Sequence, residues 1–438
     1  MSYEERRIAR VALIVLKGIG IGQKHLEEYT QRIAYSLRRQ GVDIVEQAKS
    51  ITTRGEYAEA VHRAEEQAVD CIIIVPGAFV KSMNFIEPRP KVPVLIWSPY
   101  ESATLSIASA LELGALMSRR GIKCNMLVGS PEETRVISQA LSFIRACRAM
   151  NRTSKMRIGV VVRGGLVTHD LRFGDVASTF AMELIPIETD LLEEYVKEID
   201  KVNTLVKERI VDRMGVIEVP LQLIHEEAKL YMALKNIIKA RSLDGIHVLA
   251  EACGHASFCI ALALLDEEGY LATCGSLGIL VVGCLVKAML DMSIARAIIA
   301  GVEREEKILK LINCGYMPLS MAYDLRDIDL CRQRTEVVRE GVSMRFCCRH
   351  GRVNIVKLYR IDKGMKIVIA SGSSIMVPKE RFREDVEVWP HAFVKLDGDL
   401  GALLSEIPDG EVALMLSDRR RDWREIARLY DMEYSIIQ

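Results

Sequence analysis

The stretch from Leu243 to Asp291 constrains the fold of this chain more than any other. Gly245–Ala250 is a short apolar run rich in β-formers, and it runs out at Glu251. His255–Leu265 has the composition of an apolar helix, closed by Asp266, Glu267, Glu268 and Gly269. A second short strand follows at Tyr270–Thr273, and a second buried helix over Leu277–Asp291. Strands that alternate with helices imply right-handed crossovers and a parallel sheet. In such sheets ligands sit outside the carboxyl ends of the strands. Here those ends are Glu251–His255 and Cys274–Ser276.

The same alternation runs through the first 155 residues. Val11–Leu16, Val42–Val45, Cys71–Gly77, Val92–Trp97 and Asn125–Val128 read as strands, with helical patterns over about Gln23–Arg39, Tyr57–Ala68 and Ser102–Arg119 and from near Pro131. GIGIG (Gly18–Gly22) follows the first strand and opens a helix, the place of a phosphate-binding loop. Its spacing is not G-x-G-x-x-G, so it is read as a glycine-rich turn and not as a dinucleotide site. The polar segment Ala149–Lys155 marks a boundary. A second α/β unit starts at Arg157–Val162, continues in the strand Met182–Ile187, and carries long helical patterns over Leu191–Met214 and Pro220–Ala240.

After Asp291 the pattern changes. Lys307–Ala322 is strand-like, and from about Gly341 the helical period gives way to short β runs separated by His-Gly-Arg and Asp-Lys-Gly turns. The expected fold is therefore α/β. Two doubly wound parallel α/β domains, 1–155 and 156–325, precede a C-terminal antiparallel β-barrel domain with a terminal helix, 326–438.

Composition narrows the partners. Lys plus Arg and Asp plus Glu both number 59, so the basic excess of a nucleic-acid or acidic-membrane binder is missing. The longest apolar runs, such as Ile279–Leu285, fall far below the ~18 residues of a spanning helix. The N-terminus lacks the long apolar core of a signal peptide, and the expected location is cytoplasmic. The 11 cysteines are scattered without a CxxC pair, which favours free buried thiols over a disulfide or zinc framework.

Strand, polar cluster, a helix ending in LLDEEG, then YLATC: this order resembles the second domain of the L-fucose isomerase and L-arabinose isomerase superfamily, in its fucose-isomerase-like branch. NCGYMP (Asn313–Pro318) resembles that family's H-C-G-x-x-P segment, with Asn313 in the place of histidine, and WPHAFVKLDGDLGALL (Trp389–Leu404) its C-terminal motif. The resemblance implies an aldose–ketose isomerase acting on a free monosaccharide, with Mn²⁺ or another divalent metal. It also implies a homo-oligomer, a trimer or hexamer, in which the first domain completes a neighbour's pocket. In the family a glutamate at one strand end, a carboxylate in an A-C-E-x-D segment at the next, and a C-terminal histidine serve the metal. Glu251 falls at the first position and His391 at the last. The second carboxylate is absent, because no acid occurs from Tyr270 to Leu290.

Isomerisation moves a proton between C1 and C2, through a general base or through a metal that polarises neighbouring oxygens. On the resemblance Glu251 is base or metal ligand, His391 a metal or substrate contact, and Ser276 a catalytic candidate. His255 and Asn313 are substrate-binding candidates. Each has a plainer reading: Glu251 in an ion pair, His391 as a hydrogen-bonded barrel histidine, His255 as a helix cap. The missing acid and Asn313 support the alternative of a non-catalytic relative that binds a sugar or other metabolite without the metal.

Overall fold

The computed structural model describes residues 9–18, 23–78, 87–100, 104–164, 172–250, 252, 257–333, 340–378 and 387–438. The chain divides into two compact units. One comprises Met1–Arg152, Ala288–Leu290 and Arg421–Leu429; the other comprises Thr153–Lys287, Asp291–Arg420 and Tyr430–Gln438.

The first unit holds β1 (Ala9–Leu16), α1 (Gln23–Arg39), β2 (Val42–Ile51), α2 (Arg54–Glu66), β3 (Cys71–Pro76), β4 (Val94–Ser98), α3 (Ser106–Arg119), β5 (Cys124–Val128) and α4 (Thr134–Thr153), with strands and helices alternating except where β4 follows β3. The five strands form one parallel sheet in the order β2-β1-β3-β4-β5. Both side-chain sets of β1 are buried: Ala12, Ile14 and Leu16 on one face, Val11, Leu13 and Val15 on the other. Tyr57, Ala60 and Val61 of α2 and Leu113 and Met117 of α3 cover the first of these faces. Burial on both faces is why the strands read as continuous apolar runs and not as alternating ones.

The second unit holds β6 (Arg157–Val162), α5 (Phe173–Phe180), β7 (Glu183–Glu188), α6 (Thr189–Lys197), a short α7 (Asn203–Leu205) running into a π-helical turn (Val206–Val211), β8 (Ile217–Glu218), α8 (Leu221–Arg241), β9 (Gly245–Leu249), α9 (Cys259–Glu267), β10 (Leu271–Gly275) and α10 (Leu277–Leu290). Four strands make a parallel sheet ordered β10-β9-β6-β7. The single helix expected over Leu191–Met214 is broken between Lys197 and Asn203. The break falls at Asp200 and Asn203, whose short polar side chains disfavour helix interiors; the Asn203 amide oxygen meets His225 Nε2 at 3.0 Å. Helix α9 begins at Cys259, four residues later than its apolar pattern suggests.

The remaining strands are β11 (Ala295–Glu303), β12 (Ile308–Ile312), β13 (Asp329–Gln333), β14 (Gly341–Arg345), β15 (Gly351–Ile361), β16 (Gly364–Ile375), β17 (His391–Leu396), β18 (Glu411–Met415) and β19 (Glu433–Ile437), with α11 (Leu400–Glu406) and α12 (Arg420–Leu429) between the last three. Six of them close an antiparallel barrel, β15-β18-β11-β12-β17-β16, through the β15–β16 ladder. Closure leaves no unpaired edge. Two of the six, β11 and β12, precede residue 326, where the sequence reading sets the start of the barrel domain. β16 lends one stretch of its other edge to β19, in parallel. β13 and β14 pair beside the two-residue β8. Helix α12 groups with the first unit, where Asp422 takes both Arg145 Nε (2.7 Å) and Nη2 (3.0 Å) and Glu425 takes the Asn125 amide. Among the described residues no helix is long and apolar enough to cross a membrane.

Candidate functional site

In the second sheet the chain leaves β6 toward β7 on one side and returns at β9 on the other. In such sheets ligands usually sit at the carboxyl edge, where the strand order reverses. A cavity of about 310 Å³ lies at this edge. Its floor and walls come from Thr189, the first residue after β7, from Ala252, Ser257 and Phe258 between β9 and α9, and from Leu223, Glu227 and Leu230 of α8. Mostly apolar walls with a few converging polar groups are what small-molecule sites require, and the volume falls at the lower end of their range.

Glu227 is the chemically unusual member. It is 4% exposed. Its Oε2 accepts the Ile260 amide at 2.7 Å and the Ala261 amide at 3.4 Å. Those are two orphan donors of the first turn of α9, so a residue 33 positions away supplies the helix cap. This tertiary cap is why α9 starts at Cys259. The other oxygen, Oε1, is buried and makes no hydrogen bond among the described residues. Ser257 points its hydroxyl at Val342 O, 2.9 Å away. Burial pushes the Glu227 carboxyl up to about 8, against the pull of Ser257 and the surrounding amides toward the charged form. At neutral pH the group is therefore a buried carboxylic acid.

The end of β10 carries a second polar group of residues. His247 of β9 is fully buried, with Nδ1 2.9 Å from Thr273 Oγ1 and Nε2 3.1 Å from Gly275 O. The Gly275 carbonyl can only accept, so Nε2 carries the hydrogen and Nδ1 takes the Thr273 hydroxyl proton. Burial lowers this histidine to about 4, which keeps it neutral. Gly275 itself has φ of +112°, and a Cβ there would stand 2.6 Å from Glu411 Oε1 and 2.7 Å from Arg296 Nε. Glu411 accepts from Arg296 Nε at 2.5 Å and lies 3.3 Å from the Ser276 amide at the head of α10. In the barrel Ile298 stands opposite Glu411, so Arg296, two residues earlier, shares the face of that pair. Arg296 Nη1 reaches Cys314 Sγ at 3.3 Å, and its carbonyl accepts the Asn313 side-chain amide at 2.9 Å. Gln333 and Cys259 both meet the Cys314 carbonyl, which links this group back to the first turn of α9.

The structure thus brings Ser276 and Asn313 into one network. Ser276 enters through its backbone and caps α10. Asn313 is wholly buried, and among the described residues its Oδ1 has no hydrogen-bond partner. His391 heads β17 opposite Ile312 and is also wholly buried. Its Nδ1 is bonded to Trp389 O at 2.7 Å and its ring stacks on Phe393. Glu251 and His255, with Cys253 and His169, lie outside the described residues. Where the resemblance expects the second carboxylate, the described edge presents Glu411 from the barrel, ion-paired with the Arg296 guanidinium. Among the described residues no three His, Cys, Asp or Glu side chains gather as a metal-ligand group. The described donors at this edge suit hydrogen bonding to an oxygenated ligand and do not assemble an Mn²⁺ centre.

Three residues of the edge escaped the sequence reading. Glu227 had a legible signal: it lies three residues after Ile224 and four before Tyr231, an acid on the buried face of α8. Arg296 and Glu411 had none, since neither segment carries a motif and the two stand 115 residues apart.

No family model matches the chain, and no curated protein matches it. Among solved structures it is similar to an ABC transporter periplasmic solute binding protein from Actinobacillus succinogenes 130z with bound D-allose, at 12% identity and a TM-score of 0.18, over 64% of this chain and 91% of that one. It is also similar to a periplasmic sugar binding protein of an ABC sugar transporter from Legionella pneumophila, at 7% identity and a TM-score of 0.15, over 66% of this chain and 97% of that one.

Proposed function

We propose that this chain binds a small oxygenated metabolite, a monosaccharide or near relative, in the cavity at the carboxyl edge of its second parallel sheet, without the metal centre of the isomerase family. The observation that carries the reading is Glu227: a buried carboxyl with one oxygen committed to the α9 amides and the other, among the described residues, without a hydrogen-bond partner beside a cavity at the carboxyl edge. An unmet buried polar group costs about 1–3 kcal/mol, and a ligand hydroxyl, which can both donate and accept, recovers that cost when it reaches Oε1. Phe258, Leu223 and Leu230 supply apolar walls against which the C–H face of a sugar ring packs. Arg296, Asn313 and Glu411 bear on the neighbouring strand end, where the guanidinium already occupies the Glu411 carboxylate beside Gly275.

Isothermal titration of the purified chain with a panel of pentoses and deoxyhexoses tests the reading. Binding that weakens at least tenfold in Glu227→Gln supports it; no binding by any sugar overturns it. Elemental analysis after dialysis against Mn²⁺, with Glu251→Ala/His391→Ala as the control, tests the metal clause. One retained metal per chain that is lost in the double variant overturns that clause and restores the metal-dependent isomerase.

One observation favours a second reading, metal-free proton transfer on a carbohydrate. A carboxyl raised to about 8 is matched to general acid–base work near neutral pH. Incubation with sugars in D₂O would then place deuterium at C2 in the wild type and not in Glu227→Gln.

A further inference from the structure

The charges around the cavity narrow the ligand class further, on the reading just given. Besides Glu227, the lining includes Glu193 of α6, Glu226 of α8 and Glu340 beside β14, against a single cation, Lys197. Glu340 is paired with Arg332, and Glu226 accepts the Gln222 amide at 3.1 Å; both are exposed at the rim. From α9 the Cys259 thiol also faces Glu227, and burial holds it well above its usual range, so it brings no charge. The Ser257 hydroxyl donates to Val342 O at 2.9 Å and brings no charge to Glu227. No protein group described here neutralises Glu227 when it ionises. A carboxylate or phosphate on the ligand would enter a field of like charge. A hydroxyl would give Oε1 one hydrogen bond. A protonated amine would give it that bond together with an opposite charge, and charge-assisted hydrogen bonds are roughly twice as strong as neutral ones.

We propose that the natural ligand of this cavity carries a protonated amine that seats against Glu227 Oε1, in the manner of an amino sugar. On binding, Glu227 passes its proton to solvent and remains as a carboxylate beside the ammonium. The complex therefore holds one proton fewer than the separate partners at a pH where Glu227 is otherwise neutral.

The test is isothermal titration of the full chain at pH 6.5 with glucosamine, galactosamine and mannosamine, each against its parent hexose, and with glucuronate, in two buffers of different ionisation enthalpy. At least one amine is expected to bind ten or more times tighter than its parent hexose, glucuronate to bind weakest, and the buffer dependence to report release of about one proton per site. Glu227→Gln should reduce the amine to the affinity of its parent and abolish the proton release. The proton count on the unaltered chain needs no variant and stands even where Glu227→Gln does not fold. Parent hexoses that bind as well as every amine, or amine binding without proton release, overturn the amine while leaving the sugar-binding reading in place. No binding by any amine or hexose overturns the amine, and the pentose and deoxyhexose panel then decides the sugar-binding reading separately.

Discussion

Replacing Glu227 by glutamine should change how the second unit's stability depends on pH, and the size follows from its burial. In the unfolded chain this carboxyl titrates near 4.5; in the native chain it holds its proton to about 8. Between these two values the native state binds one proton more than the unfolded state, so stability falls as pH rises. The slope is about 1.4 kcal/mol per pH unit, which amounts to roughly 5 kcal/mol over the whole window. Below 4.5 both states are protonated and the penalty vanishes; above 8 both are ionised and it stops growing. Glutamine preserves an oxygen for the Ile260 amide and has no proton to lose, so its stability lacks this fall. The variant should therefore gain on the wild type by several kcal/mol from pH 5 to pH 8. The assay is urea unfolding at each pH, followed by circular dichroism and fluorescence, with the transitions of the two units fitted separately. A wild-type-minus-variant difference that stays constant within about 1 kcal/mol across that range would refute a buried protonated acid at Glu227.

Arg296 and Glu411 are 15% and 14% exposed in their side chains, so either one left alone keeps a nearly buried charge. Arg296→Met or Glu411→Gln should each cost about 3 kcal/mol, and the double variant less than the sum; denaturant titrations that find under 1 kcal/mol for both singles count against the pair. Gly275→Ala adds a Cβ at a backbone angle that favours glycine and sets it 2.6 Å from Glu411 Oε1. It should lower the melting temperature by several degrees and displace the pair, and a variant with unchanged melting would show that the close approach at Gly275 is not real. His247, lowered to about 4 from 6.5, stays neutral in the native state while the unfolded chain takes up a proton. Its contribution, about 3 kcal/mol, is present above pH 6.5 and lost as pH falls toward 4. Side-chain ¹⁵N spectra should show the neutral Nε2–H tautomer down to pH 5, and titration near 6.5 would refute the buried hydrogen-bonded ring.

The strands were legible because their signal is local. Cys71–Pro76 lies buried on both faces of its sheet, so every side chain is apolar and the run announces itself without reference to the rest of the chain. Gly245–Leu249 and Leu271–Gly275 are likewise buried throughout and apolar apart from His247 and Thr273, and they lead to the carboxyl edge where polar chemistry gathers. Long helices such as α8 were legible from apolar spacing, and one acid on the buried face, Glu227, could have been found in the same way. The register of barrel strands was not. β11 and β12 reach the barrel by pairing with β18 and β17, about 80 to 120 residues further along the chain, and nothing in Ala295–Ile312 names those partners.

What the sequence determined by itself, then, is the order of strands and helices, their apolar faces, and the edge of the sheet at which to look. These rest on interactions within a few residues, and period and composition record them directly. Tertiary structure alone decided which side chains meet at that edge. It set the Arg296 guanidinium against Gly275, turned His391 into a wholly buried ring bonded to its own backbone, and carried Glu227 from α8 to cap α9. Each depends on the closure of long loops and on burial that removes water from a polar group. Burial also sets charge: the same glutamate that ionises readily in an open chain is held as an acid once its solvent is replaced by Ile260, Phe258 and the first turn of a helix.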